Sequence, residues 1–251
     1  MIETWVYIAL PLVGVLSGFV DAIAGGGGLI MMPAMLGAGL PPHLALGTNK
    51  VQSLAGTATA FRNYLRGGMV DWRANLPSAI VAFLGAAAGS AVVQLIKPEA
   101  LMLIVPILLL SAAAYVIFSP RMTDEDAHQR LSQAGYAPLG GSIGFYDGFF
   151  GPGTGSFFIT TLVALRGFGL TRATGTTKLL NAASNLGSLV VFILGGKVLW
   201  LLALCLAVGA MIGNWLGSHF ALKHGARLIR PLLILISLAL TGRLIWQFFS
   251  S

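Results

Sequence analysis

Charge is what this chain has least of. Lysine, arginine, aspartate and glutamate make up 9% of its 251 residues, against about 25% in an average soluble domain. Apolar residues make up 56%, more than a soluble fold of this size can hide, so the solvent that suits the chain is lipid. A single cysteine, Cys205, excludes an intrachain disulfide and reads as a small apolar filler. Zinc, serine-hydrolase and paired-carboxylate motifs are missing, and neither glycine cluster is followed by the lysine of a phosphate loop. These absences argue against an enzyme, a metal site and a bound cofactor. The formal charge of +7 does not point to nucleic acid, because basic residues collect in the short loops of membrane proteins. Glu3 is the only charge before the first apolar run, so the N-terminus does not read as a cleavable signal.

What the chain does have is long apolar runs. Segments 74–96, 100–118, 198–220 and 228–249 each reach the roughly 20 residues that a helix needs to cross the hydrocarbon core. The expected class is all-α, a polytopic membrane protein of the cell membrane with the bilayer as its first partner.

The chain also repeats itself. Gly18-Phe-x-Asp21-x-x-x-Gly25-x-Gly27 returns as Gly144-Phe-x-Asp147-x-x-x-Gly151-x-Gly153. Gly47-Thr-Asn-Lys50 returns as Gly175-Thr-Thr-Lys178, and Gly67-Gly-x-Val-x-Trp72 as Gly195-Gly-x-Val-x-Trp200. Gly85 and Gly89-Ser90 match Gly213 and Gly217-Ser218, and Pro106 matches Pro231. The five matches keep one order, with offsets of 125 to 128, which one duplication explains. The predicted organisation is a first transmembrane repeat over 1–118, a polar linker over 119–138 and a second repeat over 139–251. Each repeat holds a Gly-rich broken helical hairpin (about 5–40 and 139–168) and then three spanning helices.

Basic residues predict that the repeats are inverted. Loop 62–73 carries Arg62, Arg66 and Arg73, while its equivalent 194–199 carries only Lys197. The next pair reverses the bias: 97–99 has one lysine and one glutamate, and 221–230 has Lys223, Arg227 and Arg230. Lys and Arg mark the cytoplasmic side, so equivalent loops face opposite sides. Inverted repeats are a transporter architecture, with the site near the midplane where the halves meet.

The candidate site residues follow from what does not belong in lipid. Gly25–Gly28 and the Gly151–Gly155 stretch break a helix inside the bilayer, which is tolerated only in buried or cavity-lining backbone. The freed N–H groups around Gly26, Gly27, Gly153 and Thr154 can receive an anion; close helix packing is the plainer use of glycine. Lys50 and Lys178, flanked by Thr48, Asn49, Thr176 and Thr177, each sit near the start of an apolar helix. A lysine in mid-membrane costs about 2.5–3.5 kcal/mol even on a lenient scale. Ser53 and Thr57, and likewise Asn181 and Asn185, share the lysine's helical face at +3 and +7. These residues form the candidate substrate-binding set; snorkelling to the interface is the other use of such lysines. Asp21 and Asp147 are the only acids inside apolar segments. They can pair with a lysine or cap the broken helix, or carry a proton or other coupling cation. His43 and His219 lack counterparts in the other half.

The motifs at 18–28 and 41–50, with their echoes at 144–155 and 175–178, resemble those of the sulfite exporter TauE/SafE family of membrane transporters, in the same order over essentially the whole chain. The resemblance implies secondary transport, mostly outward, of sulfite, a sulfonate or a related small anion. A membrane-embedded subunit or assembly factor is the alternative reading. Oligomeric state stays open, with a homodimer among the options.

The charge pattern makes a topological prediction. Loops 62–73, 119–138 and 221–230 should be cytoplasmic, and 97–99 and 194–198 outside. Single-cysteine labelling in a Cys205→Ala background checks this. Finding 62–73 and 194–198 on one side ends the inverted-repeat reading.

Overall fold

A helix that must live in lipid bonds its own backbone, and this chain is built of helices throughout its described part. The structure, a computed structural model, describes residues 3–118 and 122–225. Among them are nine helices and no strand: α1 (Val6–Ala24), α2 (Gly27–Gly37), α3 (Pro42–Arg66), α4 (Trp72–Gln94), α5 (Pro98–Phe118), α6 (Gln133–Phe149), α7 (Thr154–Arg166), α8 (Leu170–Leu194) and α9 (Trp200–His224). Five of these, α1, α4, α5, α8 and α9, hold stretches long and apolar enough to span a bilayer. The predicted span 228–249, with Pro231, Arg227 and Arg230, lies outside the described residues.

Local chemistry sets the helix ends. Asp71 accepts a hydrogen bond from the Ala74 N–H at 3.0 Å and caps α4. Ser132 does the same for α6 through Gly135. That cap starts α6 at Gln133, so the last six residues of the predicted linker, 133–138, are already helical. The rest of the linker is not idle. Asp126 accepts from the Gly169 N–H at 2.6 Å, and Asp124 from the Thr171 N–H at 2.8 Å. Two acids thus cap the positive end of α8. The Gly169 amide, then the Arg172 guanidinium, holds the Asp126 carboxyl below the usual carboxylate range.

The side chains are sorted for lipid. Leu76, Ile80 and Leu84 on α4, Met102, Leu103 and Ile107 on α5, and Leu201, Leu204 and Val208 on α9 are exposed. Lys50, Lys178, Asp147, Asn49, Asn181 and Asn185 are buried. The helix α3 is too polar to be counted among the apolar spans, and it packs in the middle, against α8 and α9.

Glycine seams hold the helices together, and their pattern gives the helix directions. Gly209 faces Pro11, Gly213 faces Val15 and Phe19, and Gly217 faces Phe19 and Ala22, so α1 and α9 run parallel. Gly85 faces Gly141 and Phe145, and Gly89 faces Phe145 and Phe149, so α4 and α6 run parallel too. The close packing expected of these glycines is what they do. Gly56 beside Ala210 and Asn63 beside Ser218 align α3 with α9. Gly187 beside Phe83 and Gln94 bonded to Val191 align α8 with α4. By contrast Gly47 faces Phe192 and Gly175 faces Tyr64, so α3 and α8 are antiparallel. Hence α1, α3 and α9 run one way and α4, α6 and α8 the other. Among the described helices, α1, α3 and α4 thus run opposite to α6, α8 and α9 respectively, their counterparts by sequence. The first helix of each half packs on the fourth helix of the other half.

The seams make a stability prediction. A side chain at Gly148 runs into the Ala86 backbone, so Gly148→Val should force α4 and α6 apart and destabilise the protein by about 1–3 kcal/mol. At Gly135 an added Cβ meets nothing closer than 3.4 Å, so Gly135→Ala should be neutral or stabilising. Thermal unfolding in detergent distinguishes them, and equal melting temperatures would contradict the seam.

Candidate functional site

Both hairpins break at glycine, and the two breaks meet. Gly25 (φ 71°) ends α1 in the left-handed conformation, and Gly151 (φ 100°) and Gly153 (φ 87°) carry the chain from α6 into α7. Such angles suit glycine, which has no Cβ to clash. The backbone of Gly25 lies directly against that of Gly155, and Gly28 against Pro152. Ser156 ties the tips together by donating to the Ala24 carbonyl at 3.0 Å.

Each lysine crosses to the other half. Lys50 on α3 donates to the Asp147 carbonyl at 2.5 Å and to its Oδ1 at 3.1 Å. Lys178 on α8 donates to the Asp21 carbonyl and to its Oδ2, the latter at 3.0 Å. Both ammonium groups therefore sit on a carboxylate and on a carbonyl in the last turn of a broken helix, where the dipole is negative. Both lysines are buried inside the protein. Removing one partner of such a pair leaves an uncompensated buried charge, typically about 3–5 kcal/mol.

The two pairs are not equal. Asp147 has a third partner, Ser184, which donates to its Oδ2 at 2.5 Å. The position equivalent to Ser184 in the first half is Gly56, so Asp21 has no such hydroxyl. The Asp21 side chain is also 18% exposed, against 5% for Asp147.

Between the tips lies a polar cavity of about 30 Å3, enough for one or two waters. The structure brings Asp21, Asn49, Lys50, Ser53, Thr57, Asp147, Thr154, Asn181 and Asn185 to it. Asn49 Oδ1 and Asn181 Oδ1 are buried there without a partner among the described residues. Thr57, Thr154 and Asn185 have donors engaged by backbone carbonyls of their own segments. The formal charges of the two lysines and the two aspartates cancel.

Other predicted site residues do not line this cavity. Lys178 lies behind Asp21. Thr48 accepts from the Leu199 N–H at 3.0 Å and so anchors the start of α9. Thr176 and Thr177 are buried within α8 packing. Gly26 and Gly27 start α2, with the Gly27 carbonyl accepting from Ser17, and Gly153 packs on Ala112. The histidine His43 donates from Nε2 to the Val93 carbonyl at 3.1 Å, away from the cavity. Sequence reasoning misses Ser184 and Ser156. It selects polar residues duplicated between halves, and Ser184 has only glycine opposite it. Among the described residues no group of three or more His, Cys, Asp or Glu is placed to hold a metal ion.

Known proteins resemble this chain in sequence. The chain is 45% identical to a probable membrane transporter protein, ORF9, of Sinorhizobium sp, over 92% of this chain and 88% of that one. It is 40% identical to the probable membrane transporter protein YfcA of Escherichia coli K12, over 94% and 88% of the two chains. A probable membrane transporter protein of Haemophilus influenzae is 41% identical over 94% and 92%. No solved structure matches. The family described as sulfite exporter TauE/SafE matches residues 10–244, a stretch that contains both hairpin breaks and both lysine–aspartate pairs. This multi-pass membrane protein belongs to the sulfite exporter TauE/SafE family of membrane transporters.

Proposed function

We propose that the protein is a secondary transporter, an exporter in keeping with the family's description, of a small anion such as sulfite, a sulfonate or a related organic anion. A proton or another ion is coupled to the movement. The observation that carries this reading is the pair of buried lysines, each held by the other half's aspartate, with both aspartates lining one polar cavity. An anion and a carboxylate compete for the same ammonium. An anion entering the cavity takes a lysine's charge, and the displaced aspartate must then be neutralised, because a lone carboxylate is not tolerated at that depth. A proton or another cation taken up from solution supplies that neutralisation. Anion binding and cation uptake are thereby linked, and the linkage is reciprocal.

The same pairs support the two-sided mechanics. The pairs close the gap between the hairpin tips, so the cavity has room only for water-sized contents in this conformation. Releasing a pair loosens one tip from the helix of the other half, and doing so from alternate sides exposes the cavity to alternate sides. The inverted helix directions give the two exits equivalent walls.

A pair of variants separates structure from transport. Lys50→Met alone strands Asp147 and should both destabilise the protein and lower flux at least tenfold. The double variant Lys50→Met/Asp147→Asn leaves no buried unpaired charge, so it should recover stability while anion flux stays low. Counter-flow of sulfite, sulfate, sulfonates and small carboxylates in proteoliposomes is the assay. Wild-type flux in the double variant would reduce the pairs to structural braces.

A further inference from the structure

A second polar cavity, of about 20 Å3, opens between α1, α3 and α9 at the start of α2. That is room for one water-sized species. Asp21, Ser17, Gln52, Ser53 and Asn214 line it, with the backbone of Gly27 and Gly28. Ser17, Gln52 and Asn214 have no role in the transport chemistry described above.

The lining is rich in acceptors. Gln52 and Asn214 are 3% and 2% exposed, and neither Gln52 Oε1 nor Asn214 Oδ1 has a partner among the described residues. The Asn214 amide is oriented by its nitrogen, which donates to the Ala210 carbonyl at 3.0 Å. The Ser17 hydroxyl gives its proton to the Gly27 carbonyl at 2.9 Å, so its oxygen is left as an acceptor. Lys178 engages Oδ2 of Asp21, which leaves Oδ1 for another partner. A water molecule brings two protons and can satisfy only two of these four oxygens. A cation satisfies all of them.

We propose that this cavity is a sodium-sized cation site, with Asp21 supplying the charge and Ser17, Gln52 and Asn214 the neutral oxygen ligands. Hard oxygen ligands suit a hard cation, a single carboxylate suits a monovalent one, and Mg2+ would demand several waters that the volume does not hold. The duplicate half cannot build the same site. Ile143, Leu180 and Ala86 stand where Ser17, Gln52 and Asn214 stand in their own halves, so each chain has one site.

Its position gives it a use, which rests on the transport reading above. Asp21, Ser53 and Gly28 line both cavities. A cation on Asp21 competes with Lys178 for that carboxylate and frees the ammonium for an anion, so sodium binding and anion binding favour one another.

The test uses the purified full chain in detergent, with sodium chloride, potassium chloride or choline chloride at equal ionic strength and no transported anion. Sodium should raise the melting temperature by several degrees, saturably. That shift should vanish in Gln52→Leu and in Asn214→Ala, which install the residues of the other half. Ser17→Ala, a smaller change, should weaken the apparent sodium affinity severalfold and guards against misfolding of the other two. Retention of radioactive sodium by the wild-type protein is the direct readout. Equal melting temperatures in the three salts, or a sodium shift that survives in the folded variants, overturns the site. Adding sulfite is the separate arm: a sodium effect that sulfite leaves unchanged keeps the cation site and removes the link to that anion.

Discussion

An ammonium group in hydrocarbon is tolerable only beside a compensating negative charge, and here that charge always comes from the other half of the chain. Lys50 reaches Asp147 and Lys178 reaches Asp21, and the rest of the arrangement serves those two contacts. The hairpins break so that their last carbonyls can join the carboxylates around each lysine. Glycine at 25 and 155 lets the tips touch, which brings the acids within reach. The helices α3 and α8 lie at the centre because their lysines must face the tips and not the lipid.

Much of this is legible in the amino-acid sequence alone. Scarcity of charge indicates the membrane class, and the ordered motif pairs indicate the duplication. Glycine spacing at 85, 89, 213 and 217 indicates helix contacts. Pairing of lysine with aspartate is one of the uses such residues suggest, but nothing in their spacing says which aspartate meets which lysine; that depends on how the halves interlock. Thr48 and Thr176 read as site residues because they flank the lysines, yet a helix turns each neighbour by about 100° and sends it elsewhere. Other polar residues stay hidden for the opposite reason. Ser184, Gln52 and Asn214 break the repeat, facing glycine, leucine and alanine in the duplicate, so a search for symmetry passes over them.

Those breaks in symmetry make the two acids unequal. Asp147 is held by a lysine and a serine, while Asp21 is held by a lysine and opens onto two cavities. A duplication begins with two equal acids, and once neither has to serve every purpose the pair can specialise. One half keeps the shape of the site and the other keeps its freedom to change partners.

The crossing of the pairs also bears on how the chain is made. Lys50 leaves the ribosome 97 residues before Asp147, and Asp21 157 residues before Lys178. During that interval each charge is in the membrane region without its mate, on a first half whose α3 is too polar to settle in lipid unaided. The early helices must therefore wait at the edge of the bilayer, or in the insertion machinery, until the late ones arrive. Final burial of α3 waits for the second half, and biogenesis runs in the order that the crossed ion pairs dictate.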